Sequence, residues 1–565
     1  MGGSPAYLRL FMPLPTPRST LARGRALVAA LIALLAVVGG TLVAREARGA
    51  TTGANVVLIL TDDMPTSALA AMPSVQSLIA AQGTSFNRAY VSFPLCCPSR
   101  VTLLNGRYMH NHGVRGNFPP LGGWPRFVLQ ESSSLPVRLD GVGYHTAHIG
   151  KYMNFYATGG VGLPVPPGWD EWYGKTSEDA LYFNYQVIEK TGSANAAHLT
   201  FYGDQPTDYQ TDVFRDRAVD FVRDYAGSDP FLLNLWFNSP HGPFNPAPRD
   251  LFRLADAALP RLPGFNEKDI SDKPKWFQKQ SKRRLSKKQI KVIDNERRRA
   301  DEQLLSVDQA VAELVDVLSD RGILDDTYIL FTSDNGFFRG EHRISNGKYL
   351  PHDPSSRVPL LIRGPGIPKG GVSEELVWLG DVPPTVLEIA SGTQDPGLDG
   401  RSLLPFAENP ARRSTRPILL EGDTGGGGTE AEPARASAAR AKAAKVGVAG
   451  KRGVKNLDQE PNAIKSQAVI RNAPAYRAIR TDRYLFVVYA NGQTELYDMR
   501  RDPGQLRSLA SDKRFRFVRK WLFDQMIPLS SCAGPSCRVE VGIEPPPLSK
   551  SAVRPKKKRT GKAKR

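Results

Sequence analysis

The sequence predicts an α/β fold in which a central, mostly parallel sheet is flanked by helices and followed by a small C-terminal antiparallel sheet. From Asn55 onward, short β-rich apolar runs alternate with helical patterns, which is typical of such a sheet. The first run, Asn55–Leu60, is apolar at nearly every position, as expected of a strand that is buried on both faces. With 565 residues, 41% of them hydrophobic, the chain is long enough to bury a large core.

Four further apolar runs predict strands of the same sheet: Tyr144–Ile149, Pro230–Phe237, Thr327–Thr332 and Val358–Ile362. Apolar residues recur at helical spacing from Leu304 to Leu318, and Gly322 is well placed to end that helix. Nearer the C-terminus the pattern predicts three antiparallel strands: Tyr476–Arg480, Tyr484–Tyr489 and Thr494–Asp498. The turn at residues 490–493 is a hairpin signal, and an amphipathic helix near residues 515–526 is expected to close this small sheet.

The chain is predicted to contain five segments. They are a signal peptide or membrane anchor at 1–50, a main α/β domain at 51–423, a low-complexity basic insert at 424–465, an antiparallel subdomain at 466–530 and a basic, disordered tail at 531–565. Within the first segment, residues 26–44 form an apolar run that follows several arginines and is just long enough to span a bilayer. Either a cleaved signal or an uncleaved anchor predicts that the protein is exported and is secreted or held at the cell surface.

The net charge of +19 is distributed very unevenly along the chain. Most of it lies in the first 50 residues, in the insert and in the tail, so that the remaining body is close to neutral. The exception is Asn266–Arg299, with 13 basic and 5 acidic residues. Such a distribution differs from the even basic surface of a nucleic-acid-binding domain. The small number of cysteines, 4, excludes a scaffold held together by disulfides.

Polar residues follow four of the predicted strands. Asp62 and Asp63 follow the first strand, and Lys151, His241 and the Asp334-Asn335 pair follow three others. Because ligands of open α/β sheets bind beyond the carboxyl ends of the strands, we expect these side chains to meet at one edge. Three carboxylates and one carboxamide are hard oxygen ligands, which favour Ca²⁺ or Mg²⁺ over zinc.

The segment from Leu95 to Arg107 carries a second signal, with two adjacent cysteines in Cys96-Cys97-Pro98-Ser99-Arg100 followed by Leu104-Asn105-Gly106-Arg107. Adjacent cysteines rarely bond to each other, whereas Cys532 and Cys537 could form a disulfide. The Cys-x-Pro-Ser-Arg pattern resembles the signature of the type I sulfatases, which belong to the alkaline-phosphatase-like superfamily. The resemblance covers nearly all of residues 55–526 and includes Leu60–Asp63, Gly150–Tyr152, Ser239–His241, Thr332–Gly336, Arg357–Leu360, Glu495–Asp498 and Asp502–Gly504.

Within that family, Gly150–Asn154 and Leu305–Asp308 look most like the N-acetylglucosamine-6-sulfatase and heparan endosulfatase branch, whose bacterial members are often called arylsulfatases. Arylsulfatases proper often carry histidine where this chain has Met153. The resemblance therefore implies hydrolysis of sulfate monoesters, either of a sugar 6-sulfate or of an aryl sulfate, by a catalytic domain at residues 51–423.

The resemblance also implies the chemistry. A separate formylglycine-generating enzyme would oxidise Cys96 to Cα-formylglycine, which hydrates to a gem-diol, attacks sulfur and forms a covalent enzyme sulfate. The implied ligands of Ca²⁺, or alternatively Mg²⁺, are Asp62, Asp63, Cys96 as formylglycine, Asp334 and Asn335. The implied catalytic set adds His241 as proton donor to the leaving alcohol, and Arg100, Lys151 and Lys348 as cations that offset the anionic transition state.

Three alternatives stay open from the sequence. The first is a phosphomonoester or phosphonate hydrolase of the same superfamily, and the second is an inactive surface protein that binds polyanions. Nucleic-acid binding, the third, is disfavoured for an exported chain, whereas the N-terminal segment and the basic tail could contact a membrane or cell-wall polymer. His110 and His112 lie close to the predicted nucleophile in sequence, and we expect them to be structural.

Overall fold

A computed structural model describes residues 53–158, 161–177, 181–192, 195–225, 229–393, 395–423 and 473–549. The predicted signal or anchor, the basic insert and residues 550–565 of the tail lie outside these ranges, so those predictions stay as they are. Within the ranges, no helix combines the length and the apolar character needed to cross a bilayer.

The main sheet has eleven strands. In chain order they are β1 (Asn55–Thr61), β2 (Thr84–Tyr90), β3 (His145–Lys151), β4 (Glu171–Lys175), β5 (Tyr185–Lys190), β6 (His198–Tyr202), β7 (Phe231–Trp236), β8 (Thr327–Ser333), β9 (Arg357–Val358), β10 (Leu360–Arg363) and β11 (Gly371–Trp378). Ten of them lie in the spatial order β11-β2-β10-β8-β1-β7-β3-β4-β5-β6, and β9 pairs with β2. The five strands from β8 to β4 are mutually parallel and form the centre of the sheet. The predicted fold class is therefore confirmed.

The run predicted as one strand at Val358–Ile362 is instead divided into β9 and β10 at Pro359. Proline has no N–H to donate to a ladder, so an uninterrupted strand is disfavoured there. As a result β9 pairs with β2 alone, while β10 lies antiparallel between β2 and β8.

Eleven α-helices lie within the described residues, and several of them pack on the two faces of the main sheet. They are α1 (Cys96–Asn105), α2 (Met109–His112), α3 (Trp124–Phe127), α4 (Leu135–Asp140), α5 (Gln210–Asp224), α6 (Lys275–Gln280), α7 (Lys287–Asp320), α8 (Asp353–Ser356), α9 (Val382–Ser391), α10 (Leu404–Ala407) and α11 (Arg516–Leu529). Helices α5 and α7 share a core with Leu235 of β7, whereas the next residue, Trp236, faces the guanidinium of Arg100 in α1. Because side chains alternate along a strand, α1 lies on the opposite face from α5 and α7.

Helix α7 is the longest helix, with 34 residues, and it begins well before the apolar pattern that predicted it. Its first turn is capped by Ser286, whose hydroxyl accepts from the N–H of Gln289 while the Gln289 side chain accepts from the N–H of Ser286. It ends as predicted just before Gly322, which has a φ of +70°.

A second sheet of four antiparallel strands contains β12 (Ile418–Gly422), β13 (Tyr476–Arg480), β14 (Tyr484–Tyr489) and β15 (Thr494–Asp498). The last three match the prediction, and α11 packs against β13 and β14. Strand β12 was not predicted. It precedes the basic insert in the sequence, and its partner in the sheet, β13, follows that insert. Cys532 and Cys537 form a disulfide after α11.

Glu495 of β15 is the centre of a buried polar cluster between the second sheet and α8. Its carboxylate accepts hydrogen bonds from the hydroxyls of Tyr489 and Tyr497 and lies 3.1 Å from Nε2 of His352. Burial alone would raise the pKa of Glu495, but His352 and the three hydrogen bonds lower it to about 2.

Because the pKa of Glu495 is lower in the folded chain than in the unfolded chain, its contribution to stability is complete above the unfolded value and declines as pH falls. We expect the stability difference between wild type and Glu495→Gln to shrink by about 2 kcal/mol between about pH 6 and about pH 3. Urea unfolding at each pH measures it, with the exposed Glu374→Gln as control. A difference independent of pH would contradict the assignment.

Candidate active site

The carboxyl ends of four adjacent parallel strands, β8, β1, β7 and β3, bring the predicted polar residues to one edge of the sheet. Asp62 and Asp63 follow β1, Asp334 and Asn335 follow β8, Lys151 ends β3, and His241 lies shortly after β7. One carboxylate oxygen from each of Asp62, Asp63 and Asp334 lies within 4.8 Å of the other two, as does one ligand atom from each of Asp62, Cys96 and His241.

Backbone geometry at this edge is unusual. Asp63 adopts a left-handed conformation, with φ of 66°, and its N–H donates to Oδ1 of Asp334 over 3.2 Å. Gly150, just before Lys151, has no room for a side chain, because a Cβ would lie 1.9 Å from the carbonyl oxygen of Trp236. Such strained or crowded positions persist only where the surrounding structure fixes them, as at functional sites.

Cys96 is the first residue of α1, and it is buried against this edge. Its Sγ lies 3.6 Å from Oδ1 of Asp62 and 2.9 Å from Nζ of Lys348. All ten residues of α1 are buried, so Cys96 is held at the start of a packed helix. The positive end of the helix dipole also lies at Cys96, which favours negative charge there.

Three cations contact the carboxylates directly. Arg100 donates from Nε to Oδ2 of Asp334 over 2.8 Å and from Nη2 to Oδ2 of Asp62 over 3.2 Å. Lys151 donates to the same oxygen of Asp62, and Lys348 donates to Oδ1 of Asp63. Arg100 also donates to the carbonyl of Lys151 over 2.7 Å, which couples α1 to the end of β3.

The pKa values of two of the carboxylates are shifted in opposite directions by this environment. Burial raises the pKa of Asp62, but Lys151, His241 and Arg100 more than offset it, so the net pKa lies well below the usual value. Burial and the neighbouring charge of Asp62 together raise the pKa of Asp334. This is the expected behaviour of like charges that share one site, and a bound cation would relieve their repulsion.

Asn335 gives an independent indication of a metal site. Its Nδ2 donates to Asp63 and to the carbonyl of Gly336, whereas its buried Oδ1 has no hydrogen-bond partner among the described residues. A buried amide oxygen without a partner is costly unless it binds a ligand. The three carboxylates and this amide oxygen therefore fit a hard divalent cation such as Ca²⁺ or Mg²⁺.

The environment of Cys96 disfavours a thiolate. Burial and the adjacent Asp62 carboxylate raise the pKa of its thiol above the usual value, although Lys151 and Lys348 act in the opposite direction. Since the thiolate is the nucleophilic form of cysteine, the unmodified side chain is a poor nucleophile at this position.

His241 is the most exposed member of the set, with 32% of its side chain accessible. Its Nδ1 contacts the carbonyl oxygen of Gly242, which can only accept, so Nδ1 carries a proton. Its Nε2 lies 3.6 Å from Oδ2 of Asp63. Tyr182 holds this segment, because its hydroxyl donates to the carbonyl of His241 over 2.5 Å. The contact made by Tyr182 could not be predicted from the sequence, because its partner His241 lies 59 positions later and no local pattern connects the two residues.

His110, His112 and His148 make structural contacts. His110 lies 2.9 Å from both Glu421 and the carbonyl of Cys532, and His112 is buried beside Thr102. Burial lowers the pKa of His112 to about 3 and does the same to His148, which lies among tryptophan rings. Both are therefore neutral at physiological pH. Cys97, the residue after Cys96, contacts Asn154.

The fold and the site together favour an enzyme that acts on an anionic group, because three cations, a carboxylate cluster that fits a divalent metal and Cys96 at a helix N-terminus meet at one edge of the sheet. Residues 54–393 match the protein family described as Sulfatase. Human N-acetylglucosamine-6-sulfatase is 31% identical over 91% of this chain and 91% of its own length. The chain belongs to the sulfatase family and is a sulfatase, an enzyme that hydrolyses sulfate esters.

One further relative and one solved structure are also similar to this chain. An extracellular sulfatase Sulf-1 homologue from Caenorhabditis elegans is 34% identical over 62% of this chain, which spans 48% of that protein. A solved structure of BT4656 in complex with its substrate D-glucosamine-2-N,6-O-disulfate has a TM-score of 0.63 at 21% identity, covering 84% of this chain and 97% of that one. The structural similarity supports the fold of the catalytic sheet.

We expect Arg100→Met to destabilise the protein by about 3–5 kcal/mol, because it leaves two buried carboxylates without their shared guanidinium. We also expect it to abolish turnover of a small aryl sulfate. Thermal unfolding and a nitrophenyl sulfate assay measure the two effects. The control is Arg107→Met, since Arg107 follows the same helix and forms no ion pair with any described residue. Equal stability of both variants would contradict the role given to Arg100.

Proposed function

We propose that this enzyme hydrolyses 6-O-sulfate monoesters of amino sugars, accepts small aryl sulfates, and uses a Cα-formylglycine formed from Cys96 together with Ca²⁺. The observation that carries the proposal is the position of Cys96, which is buried between the carboxylates and Lys348 where its thiol is a poor nucleophile. Conversion to formylglycine by a separate generating enzyme would supply a hydrated aldehyde, with one hydroxyl as nucleophile and the second as the route to release sulfate.

The chain's own residues would then bind the metal and balance the negative charge of the sulfate group. Asp62, Asp63, Asp334 and Asn335 would hold the divalent cation, which would supply Lewis-acid stabilisation of the sulfate oxygens. Lys151 and Lys348 contact Asp62 and Asp63 here. With those carboxylates bound to a cation, both ammonium groups would be available to the sulfate group. Arg100 keeps the carboxylates in place from inside the protein.

His241 is the proton donor to the leaving alcohol in this proposal. Because Nδ1 is occupied by the carbonyl of Gly242, the second proton of the imidazolium lies on Nε2, which faces the site beside Asp63. Partial exposure of His241 leaves its Nε2 accessible to a sugar oxygen.

Substrate class and location are supported by the relatives. Human N-acetylglucosamine-6-sulfatase is matched along nearly its whole length, and BT4656 binds a glucosamine 6-O-sulfate. The similarity to an extracellular sulfatase homologue agrees with export of this chain, as the N-terminal sequence predicts. Contact with a membrane or cell wall through the N-terminal segment and tail remains a proposal from sequence.

We expect Cys96→Ala to abolish sulfate ester hydrolysis while leaving thermal stability nearly unchanged. The matched control is Cys97→Ala, the adjacent buried cysteine, which contacts Asn154 and should retain most activity. Mass spectrometry of the active wild-type protein should show that the peptide containing Cys96 has exchanged its thiol for an aldehyde. An active wild-type enzyme with an unmodified Cys96, or an active Cys96→Ala variant, would contradict the mechanism.

We expect removal of bound divalent cations with EGTA to abolish activity and to lower the melting temperature, and we expect Ca²⁺ to restore both. At a Ca²⁺ concentration of about 100 times the dissociation constant, the gain in stability should be about 2.7 kcal/mol. Asp334→Asn should lose this Ca²⁺-dependent stabilisation, whereas the exposed Asp204→Asn should keep it. A melting temperature that does not respond to Ca²⁺ would rule out the proposed site.

A further inference from the structure

The basic stretch found in the sequence forms an exposed surface that the catalytic site does not use. Between residues 268 and 291, nine basic side chains are exposed, and none forms an ion pair with a carboxylate of the described chain. We call these nine residues the basic patch: Lys268, Lys275, Lys279, Lys282, Arg283, Arg284, Lys287, Lys288 and Lys291. They extend from the loop before α6 into the first turns of α7.

Most acidic residues of the same stretch are engaged elsewhere. Glu267 is buried and pairs with Lys273 and His342, while Asp272 also contacts Lys273. Asp294 pairs with Arg261 from outside the patch. Because these carboxylates neutralise other cations, the patch keeps almost all of its positive charge. Asp269 is the remaining exposed acid among residues 268–291.

The basic patch is attached to the loop that carries Lys348. Arg343 of that loop donates to the carbonyls of Glu267, Lys268, Ser281 and Lys282. Asn346, which lies two residues before Lys348, donates to the carboxylate of Glu296 in α7. The five residue-to-residue steps from Arg343 to Lys348 span at most about 18 Å, so the edge of the patch lies close to the active site.

We propose that the basic patch is a second binding site that holds a long sulfated polysaccharide beside the active site. This proposal rests on the proposed function, since the bound polymer would carry the sulfate ester. A row of unpaired, hydrated cations matches a chain of closely spaced anionic groups and raises its local concentration. An anionic membrane fits less well, because no large apolar side chain is exposed among residues 268–291, all of which the structure describes.

The test neutralises four patch residues together: Lys282→Gln, Arg283→Gln, Lys287→Gln and Lys288→Gln. The control neutralises four exposed basic residues elsewhere: Lys369→Gln, Arg412→Gln, Lys513→Gln and Arg516→Gln. Both sets are made in the full chain, so the insert and tail contribute equally. Heparin is the probe, and its dissociation constant and its inhibition of nitrophenyl sulfate turnover are measured at about 0.15 M salt, where exposed charges are screened beyond about 8 Å.

We expect the patch variant to bind heparin roughly tenfold more weakly or worse, with a matching loss of inhibition. Its kcat and KM for nitrophenyl sulfate should equal those of wild type, and the control should keep wild-type heparin affinity. Equal heparin affinity of patch and control variants would overturn the proposal. So would a patch variant that loses binding to phosphatidylglycerol vesicles or to an oligonucleotide but not to heparin.

This design separates the proposal from the proposed function. Heparin binding is measured without turnover, so a wild-type protein that fails to hydrolyse any sulfate ester would contradict the proposed function alone. An active enzyme whose patch variant binds heparin as tightly as wild type would contradict the second site alone.

Discussion

The placement of charge at the carboxyl edge of the central sheet is the constraint on which the rest of the site depends. Asp62, Asp63 and Asp334 are buried within reach of one another, which is unfavourable unless cations lie among them. Arg100, Lys151 and Lys348 supply part of that compensation. A divalent cation would complete that compensation, because it could also bind the amide oxygen of Asn335, which has no hydrogen-bond partner in the described part of the chain.

The structure around the site is closely packed, in keeping with that constraint. Arg100 reaches two carboxylates from a fully buried helix, α1, which begins at Cys96. Gly150 allows β3 to approach β7 closely, so that Lys151 points into the site. Tyr182 fixes the backbone of His241. The scaffold therefore sets the positions of the reacting groups in advance, as electrostatic stabilisation requires.

Much of this arrangement is predictable from the sequence, since each of the strands β1, β3, β7 and β8 has a strong apolar pattern followed by polar residues. Other features depend on contacts between distant segments. Strand β12 pairs across the insert, and Pro359 divides a run whose apolar pattern is continuous. The contact of Lys348 with Cys96 joins residues 252 positions apart, which only the family resemblance indicated.

Sulfate and phosphate esters share a tetrahedral geometry, so the central claim concerns which of them this site hydrolyses. The most direct measurement is kcat/KM for nitrophenyl sulfate, nitrophenyl phosphate and a phenylphosphonate ester with one preparation of the Ca²⁺-loaded enzyme. We expect the sulfate ester to be turned over with the highest kcat/KM, and we expect Cys96→Ala to remove this activity. A phosphate or phosphonate ester hydrolysed faster than the sulfate would contradict it.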